Sequence, residues 1–284
     1  MNRALENKIK YSIDLIKKAE YLALKFSEEG FYLAFSGGKD SQVLYHLSKE
    51  SGVKFTTHMN LTSVDPPEVI RFVKNKYPDV KLIKPKISIF DMAIKKHILP
   101  TMKFRWCCAE YKETSGEGRV TLIGIRRSES VRRSKRNELE ISKNKLSVNF
   151  DQFSEHEEKI VSCVNGKDKV IISPILNWSE RDVWDFIRDR KLEYCKLYDE
   201  GYKRIGCILC PMSSYKQCLR DTERYPHVKQ KWINTIKKLT ELGYFNRSKT
   251  KENTEIKFDW WISKKSYNQF YSDEFLQGKI DFKE

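Results

Sequence analysis

Six consecutive residues, Ser36-Gly37-Gly38-Lys39-Asp40-Ser41, put two hydroxyls, a cation and a carboxylate on one glycine turn. Two adjacent glycines let an anion come close to the backbone, and Lys39 adds positive charge. The run ahead of the turn, Phe31 to Phe35, is apolar and predicts a buried strand; Val43, Leu44 and Leu47 after it predict a helix face. A strand, a glycine turn and a helix N-terminus together make an anion site, because free N–H groups and the helix dipole point outward there. The bland alternative is a glycine turn with no ligand. Two common phosphate motifs are excluded: the run through Ala34 has no glycine where a Walker loop needs one, and no G-x-G-x-x-G occurs.

The cysteines form a second candidate centre. Cys107 and Cys108 are adjacent, and Cys207 and Cys210 form a C-x-x-C within Ile205–Pro211. Two and two thiolates suit a tetrahedral zinc ion or an iron–sulfur cluster. Gly206 is expected to supply the tight turn that brings the C-x-x-C sulfurs together. Neighbouring side chains on a helix diverge by about 100°, so the adjacent pair fits the larger cube of a [4Fe–4S] cluster better than one Zn²⁺. Zinc and plain buried thiols stay as alternatives. Cys163, Cys195 and Cys218 have no partner spacing and read as ordinary residues. The total of seven is odd and a secreted chain is not expected, so structural disulfides are not expected either.

A third constellation, Gly124 to Arg133, directly follows the apolar run Val120 to Ile125. A glycine and then an arginine at a strand end suit phosphate or ribose binding, and a solvated charge run is the alternative.

These residues need elements to carry them. The chain has 284 residues with 39% hydrophobic and 12% aromatic content, enough for a folded core. An amphipathic helix is expected over residues 5–27. Strands are expected at Val53 to Met59, Val80 to Ile83 and Val120 to Ile125, and helices at Pro67 to Tyr77, Ile89 to Ile98, Ser179 to Arg190 and Thr222 to Leu242. This rhythm predicts an α/β fold, a parallel twisted sheet with helices on both faces. Residues 126–168 break it as a charged insertion, with a hairpin of Ile160 to Val164 and Val170 to Ile172. The expected division is a nucleotide-binding domain over 1–220 and a helical, aromatic extension over 221–284. With 54 basic and 39 acidic residues the net charge is +15. Arg126, Arg127, Arg132, Arg133, Lys135 and Arg136 cluster, so nucleic acid or an anionic partner protein is the expected macromolecule. No apolar run is long enough for a membrane span and the N-terminus lacks a signal region, so a cytoplasmic protein is expected.

Ser36 to Ser41 resembles the pyrophosphate loop of the N-type ATP pyrophosphatases, which include the PAPS and APS reductases and several sulfurtransferases. Cys-Cys…Cys-x-x-Cys is similar to the cluster motif of APS reductases and related sulfurtransferases. Gly124-Ile-Arg-Arg-Ser-Glu-Ser-Val-Arg-Arg133 resembles the G-x-R-x-x-E-S-x-x-R segment of the PAPS reductase-like family, and Pro174 to Trp184 and Leu197 to Cys207 also match. The resemblance runs from about residue 31 to 218. It implies an adenine nucleotide held by Ser36, Gly37, Gly38, Lys39, Asp40 and Ser41, with Gly124, Arg126, Glu129, Ser130 and Arg132 as further contacts. It implies Lys39 and Asp40 as catalytic residues, ATP with Mg²⁺ near Asp40, and a [4Fe–4S] cluster on Cys107, Cys108, Cys207 and Cys210 near the nucleotide. No cysteine follows Cys218, and the Glu-Cys-Gly-x-His setting of the sulfonucleotide reductases is missing from this sequence. The pattern is therefore closest to DNA phosphorothioation-type sulfurtransferases: ATP is cleaved between the α and β phosphates, an acceptor is adenylylated, and sulfur displaces AMP. A PAPS or APS reductase, or a nucleotide-sensing protein without turnover, are the alternatives.

Overall fold

The structure is a computed structural model that describes residues 3–141, 147–148, 169–244 and 253–276. In chain order its elements are α1 (Arg3–Phe26), β1 (Phe31–Ala34), α2 (Lys39–Ser51), β2 (Phe55–Asn60), α3 (Pro67–Lys76) and β3 (Lys81–Ile83). Then come α4 (Ile89–Lys95), α5 (Trp106–Cys108), β4 (Val120–Ile123), α6 (Val131–Ser134), β5 (Leu139–Ile141), β6 (Ser147–Val148) and β7 (Val170–Ile172). The last are α7 (Glu180–Asp189), α8 (Tyr215–Arg224), α9 (Pro226–Glu241), α10 (Thr254–Ser263) and α11 (Tyr267–Leu276). No described helix is long and apolar enough to cross a membrane.

The chain divides into two compact units, neither continuous in sequence. The first holds residues 1–60, 67–83 and 114–205. Its described strands form one α/β sheet in the order β3-β2-β1-β4-β7-β5-β6. The first five are parallel, and β5 and β6 run antiparallel at one side. The strands are short and rich in β-branched and aromatic residues, as a sheet interior requires. Phe31, Leu33, Val120, Leu122, Val170 and Ile172 are fully buried. Strand order reverses beside β1: β2 and β3 lie on one side of it, and β4 and β7 on the other. Ligands of doubly wound sheets sit outside the carboxyl ends of the strands at such a reversal. Here the two strands concerned end in the glycine loop and in Gly124.

Helix α1 buries Leu5, Ile9, Ser12, Leu15, Ile16, Ala19, Leu22 and Ala23, the three-and-four spacing of one helix face. Ser12, the polar member of that stripe, donates to the Pro174 carbonyl at 2.8 Å and accepts from Trp178 Nε1 at 3.1 Å, so its burial carries no unpaired hydroxyl. Helix α7 starts at a reciprocal cap. Ser179 Oγ accepts from the Asp182 amide at 3.1 Å, and Asp182 accepts from the Ser179 amide at 2.6 Å.

The second unit holds residues 61–66, 84–113 and 206–284 and is helical where described. Its core gathers Ile89, Met92, Trp106, Tyr111, Val228, Trp232, Ile236, Phe258 and Trp261. The aromatic tail packs into this core: Phe258 is fully buried, and Trp261 Nε1 donates to the Pro100 carbonyl at 2.8 Å.

Two expectations change. The helix expected from Thr222 to Leu242 is two helices, α8 and α9. The first starts earlier, capped by Ser214 Oγ accepting from the Gln217 amide, and the second restarts at Pro226. Proline lacks an N–H and is at home in a first helical turn, so it marks a new start and not a helix interior. The arm Ile160 to Val164 of the expected hairpin lies outside the described residues. Its other arm is β7, whose two edges are taken by β4 and β5.

Candidate functional site

The glycine loop is built by its own hydroxyls. Ser41 Oγ donates to the Gly38 carbonyl at 2.8 Å and accepts from the Ser36 amide at 3.2 Å, and the two serine oxygens lie 3.1 Å apart. Gly37 has φ +70°, and a Cβ there would stand 2.7 Å from Val69 Cγ1, so both conformation and space demand glycine. Gly38 is the N-cap of α2 and offers no side chain to the helix's free amides. The first-turn N–H groups therefore have no cap from Gly38, and that of Lys39 donates to Tyr198 Oη at 2.9 Å.

Gly124 ends β4 against this turn. A Cβ on it would lie 2.7 Å from the Asp40 carbonyl oxygen and 3.1 Å from the Ser41 nitrogen. Two residues on, Arg126 is 4% exposed, and its Nε donates to Asp40 Oδ1. Arg126 Nη1 also donates to Ser128 Oγ at 3.0 Å, and its backbone N–H donates to Glu129 Oε2 at 2.9 Å. Glu129 pairs with Arg133. Ser130 Oγ caps α6 by accepting from the Arg133 amide at 3.3 Å, and Arg132 is exposed. Of the arginine cluster, Arg126, Arg133 and Arg136 are neutralised by Asp40, Glu129 and Glu140. The run is thus less basic as a surface than it is as a sequence.

Lys39 departs most from the local reading. It is 3% exposed. Its ammonium donates to the Lys203 carbonyl at 3.1 Å and lies 3.4 Å from Glu180 Oε1 and 3.8 Å from Asp40 Oδ2. It also lies 5.3 Å from the ring centre of Tyr198 and 5.9 Å from that of Trp184. Asp40, flanked by Arg126 and Lys39, is not a free ligand for the expected magnesium ion, which would have to take the carboxylate from Arg126. As arranged, the residues do not fit that ion.

The cysteine quartet lies in the second unit. Cys107 and Cys108 close α5 and run into a π-helical turn at Ala109–Glu113. Arg105 Nη2 donates to Cys108 Sγ at 3.3 Å, Lys112 Nζ donates to Cys207 Sγ at 3.3 Å, and Thr62 Oγ1 lies 3.3 Å from Cys207 Sγ. Donors aimed at sulfur favour thiolates. A hydrogen bond from Cys107, together with Arg105, brings the Cys108 thiol down to about 5, and the same bond and burial push Cys107 up. Burial and the charge of Cys207 raise Cys210. Four mutually interacting thiols ringed by cationic donors fit a thiophilic metal centre in their chemistry. Among the described residues no three His, Cys, Asp or Glu side chains are already drawn into metal-ligand geometry, so this is a donor set and not a closed cage.

The C-x-x-C turn has its own supports. The Ile208 amide donates to the Val64 carbonyl at 2.7 Å, and the Leu209 amide donates to Asp221 Oδ2 at 2.9 Å. Asp221 is 4% exposed and accepts from Gln217 Nε2 at 2.8 Å. The left-handed residue is Leu209, at φ +56°, and not Gly206, where a Cβ would meet nothing within 4 Å. A leucine is held there because amides on both sides of the turn's centre are bonded to fixed acceptors.

The structure thus brings the loop, Gly124 and Arg126 together and gathers the four cysteines in one unit. Sequence reasoning missed Tyr198, Glu180, Thr62, Lys112 and Asp221 as neighbours of these groups. No local spacing links Tyr198 to the loop or Thr62 to Cys207, since each pair is joined only by folding.

Residues 30–213 match the phosphoadenosine phosphosulfate reductase domain, and the chain belongs to that family. It is 31% identical over 248 residues to the uncharacterized protein MJ0973 of Methanocaldococcus jannaschii, covering 82% of this chain and 54% of that one. It is 30% identical over 151 residues to an adenosine 5'-phosphosulfate reductase of Staphylococcus epidermidis, covering 50% and 53%. It is 27% identical over 210 residues to a probable FAD synthase of Schizosaccharomyces pombe, covering 72% and 68%. The chain spans about half the length of the first curated relatives it matches.

Proposed function

We propose that this chain is an ATP pyrophosphatase of the sulfurtransferase type, acting on a nucleic-acid acceptor. The observation that carries the reading is the Ser36–Ser41 loop at the sheet's reversal point, with Gly124 packed against its helix turn. An anion there meets the positive end of α2. The similarity to an APS reductase and a probable FAD synthase supports an adenosine 5'-phosphoryl ligand.

In the proposed reaction an acceptor oxygen attacks the α-phosphorus of ATP. The bond from that phosphorus to the bridging oxygen breaks, and pyrophosphate leaves with the electron pair. Sulfide then attacks the acceptor atom that bears the adenylyl oxygen, and AMP departs. The loop binds the pyrophosphate portion and stabilises the charge that develops on it. Ser36 and Ser41 fix the shape of the turn. Arg126 and Glu129 hold the strand end from which Gly124 meets it. Cys107, Cys108, Cys207 and Cys210 would hold a [4Fe–4S] cluster, with zinc as the alternative; when bound, the cluster would supply an iron site for sulfide. The net charge of +15 supports a polyanionic acceptor.

The test is acceptor-dependent exchange of labelled pyrophosphate into ATP, with RNA and DNA offered separately. Exchange with one of them supports the reading; its absence with both, at full metal content, sinks it. Similarity to APS reductase favours a second reading, reduction of a sulfonucleotide. Release of sulfite from labelled APS or PAPS with a thiol donor would establish that one instead.

A further inference from the structure

We infer that Tyr198 is a phosphate-binding residue of the loop, its hydroxyl donating to a phosphoryl oxygen of the nucleotide. This rests on the reading of Ser36–Ser41 as a nucleotide site and extends it.

The Lys39 amide, first in α2, donates to Tyr198 Oη at 2.9 Å. That oxygen sits over the glycine turn: a Cβ on Gly38 would lie 3.4 Å from it and 3.3 Å from Ser36 Oγ. The phenol oxygen accepts one bond and keeps its own proton, and the structure gives that proton no acceptor among the described residues. A hydroxyl that accepts from a helix N-terminal amide is polarised by it and becomes a stronger donor on its far side. The positive end of α2 is thus extended by one O–H into the place where an anion approaches. Burial and the nearby Asp40 charge push the Tyr198 phenol up, so it stays protonated and able to donate near neutral pH.

The lysine explains why a tyrosine holds this position. Lys39 is turned inward, pinned to the Lys203 carbonyl and Glu180, with its ammonium over the Tyr198 and Trp184 rings. It holds down the segment that carries Tyr198 and leaves the outward donor to the hydroxyl. The ring is fixed by edge contacts with Trp184 at 5.1 Å and Tyr194 at 6.2 Å, so the hydroxyl's place is set by packing.

The experiment measures binding of ATP and of inorganic pyrophosphate, separately, to wild type and Tyr198→Phe by titration calorimetry. Phenylalanine keeps the ring and removes the hydroxyl. Both ligands are expected to bind about ten-fold more weakly, the effect of losing one hydrogen bond to a charged group. A second variant carries 3-fluorotyrosine at 198, a more acidic phenol and a better donor, and is expected to bind both more tightly. Wild-type binding with unchanged or tighter binding by Tyr198→Phe overturns the role of the hydroxyl and leaves the loop's reading standing. Failure of the wild type to bind either probe overturns both.

Discussion

Gly124 and Asp40 touch backbone to backbone. A methyl group on Gly124 would stand 2.7 Å from the Asp40 carbonyl oxygen and 2.9 Å from its carbon, both atoms fixed in a helix turn. Gly124→Ala must therefore push α2 away from β4. The expected cost is about 1–3 kcal/mol of stability, the usual penalty of overpacking, together with weaker ATP binding. Urea unfolding and calorimetry check it, and an alanine variant with wild-type values for both would show that the close approach is unimportant.

The Arg126–Asp40 pair joins the same two segments by charge. Arg126 is 5% exposed at its side chain and Asp40 17%. Removing one member strands the other, which typically costs about 3–5 kcal/mol for a buried pair. Asp40→Asn and Arg126→Met are each expected to destabilise the first unit, and the double variant to cost less than their sum. A double-mutant cycle by denaturant unfolding measures the coupling. A coupling near zero would mean that solvent already screens the pair.

Asp221 holds the C-x-x-C turn through the amide of Leu209, a leucine in the left-handed region. In Asp221→Leu that amide loses its acceptor at a cost of about 1–3 kcal/mol, and the turn is free to relax. Iron and sulfide after anaerobic reconstitution are expected to fall well below wild type, and Cys210→Ala is expected to lose them entirely. Wild-type metal in Asp221→Leu would show that the turn keeps its shape without the carboxylate.

Two histidines of the first unit give a pH dependence. His46 Nε2 lies 3.2 Å from the Tyr77 hydroxyl, and His58 stacks on Tyr32 at 4.2 Å. Burial, joined by Lys49 for His46 and by Lys81 for His58, lowers both below their ordinary value. The unfolded chain therefore takes up these protons first as pH falls. Stability is retained above about pH 6.5 and declines below it, by up to ~1.4 kcal/mol per pH unit for each histidine. Unfolding midpoints from pH 8 to 5 check the sign. His46→Gln with His58→Gln should flatten the profile, and an unaltered slope in the double variant would assign it to other groups.

What the sequence disclosed was local. Loop, strand and helix over 31–51 lie within one short stretch, so apolar spacing and two glycines were enough to read them. The Gly124 segment was legible for the same reason. The inward turn of Lys39 was not legible because its partners, Glu180 and Lys203, come from far along the chain. The arginine cluster looked bare because Glu129 and Glu140 pair with its members only once the backbone turns. Gly206 looked like the special residue of the C-x-x-C, yet Leu209 takes the left-handed conformation. Glycine permits such a turn, but here the bonds from Val64 and Asp221 impose it.

The phosphate bond that breaks tests the central claim most directly. The chain, anaerobically reconstituted, is incubated with α-labelled ATP, sulfide and nucleic acid, and the labelled products are separated. Labelled AMP is expected, formed in step with unlabelled pyrophosphate and lost in Gly37→Val, where a β-branched side chain cannot adopt φ +70° beside Val69. Labelled ADP with free phosphate would place the cut between the β and γ phosphates and contradict it.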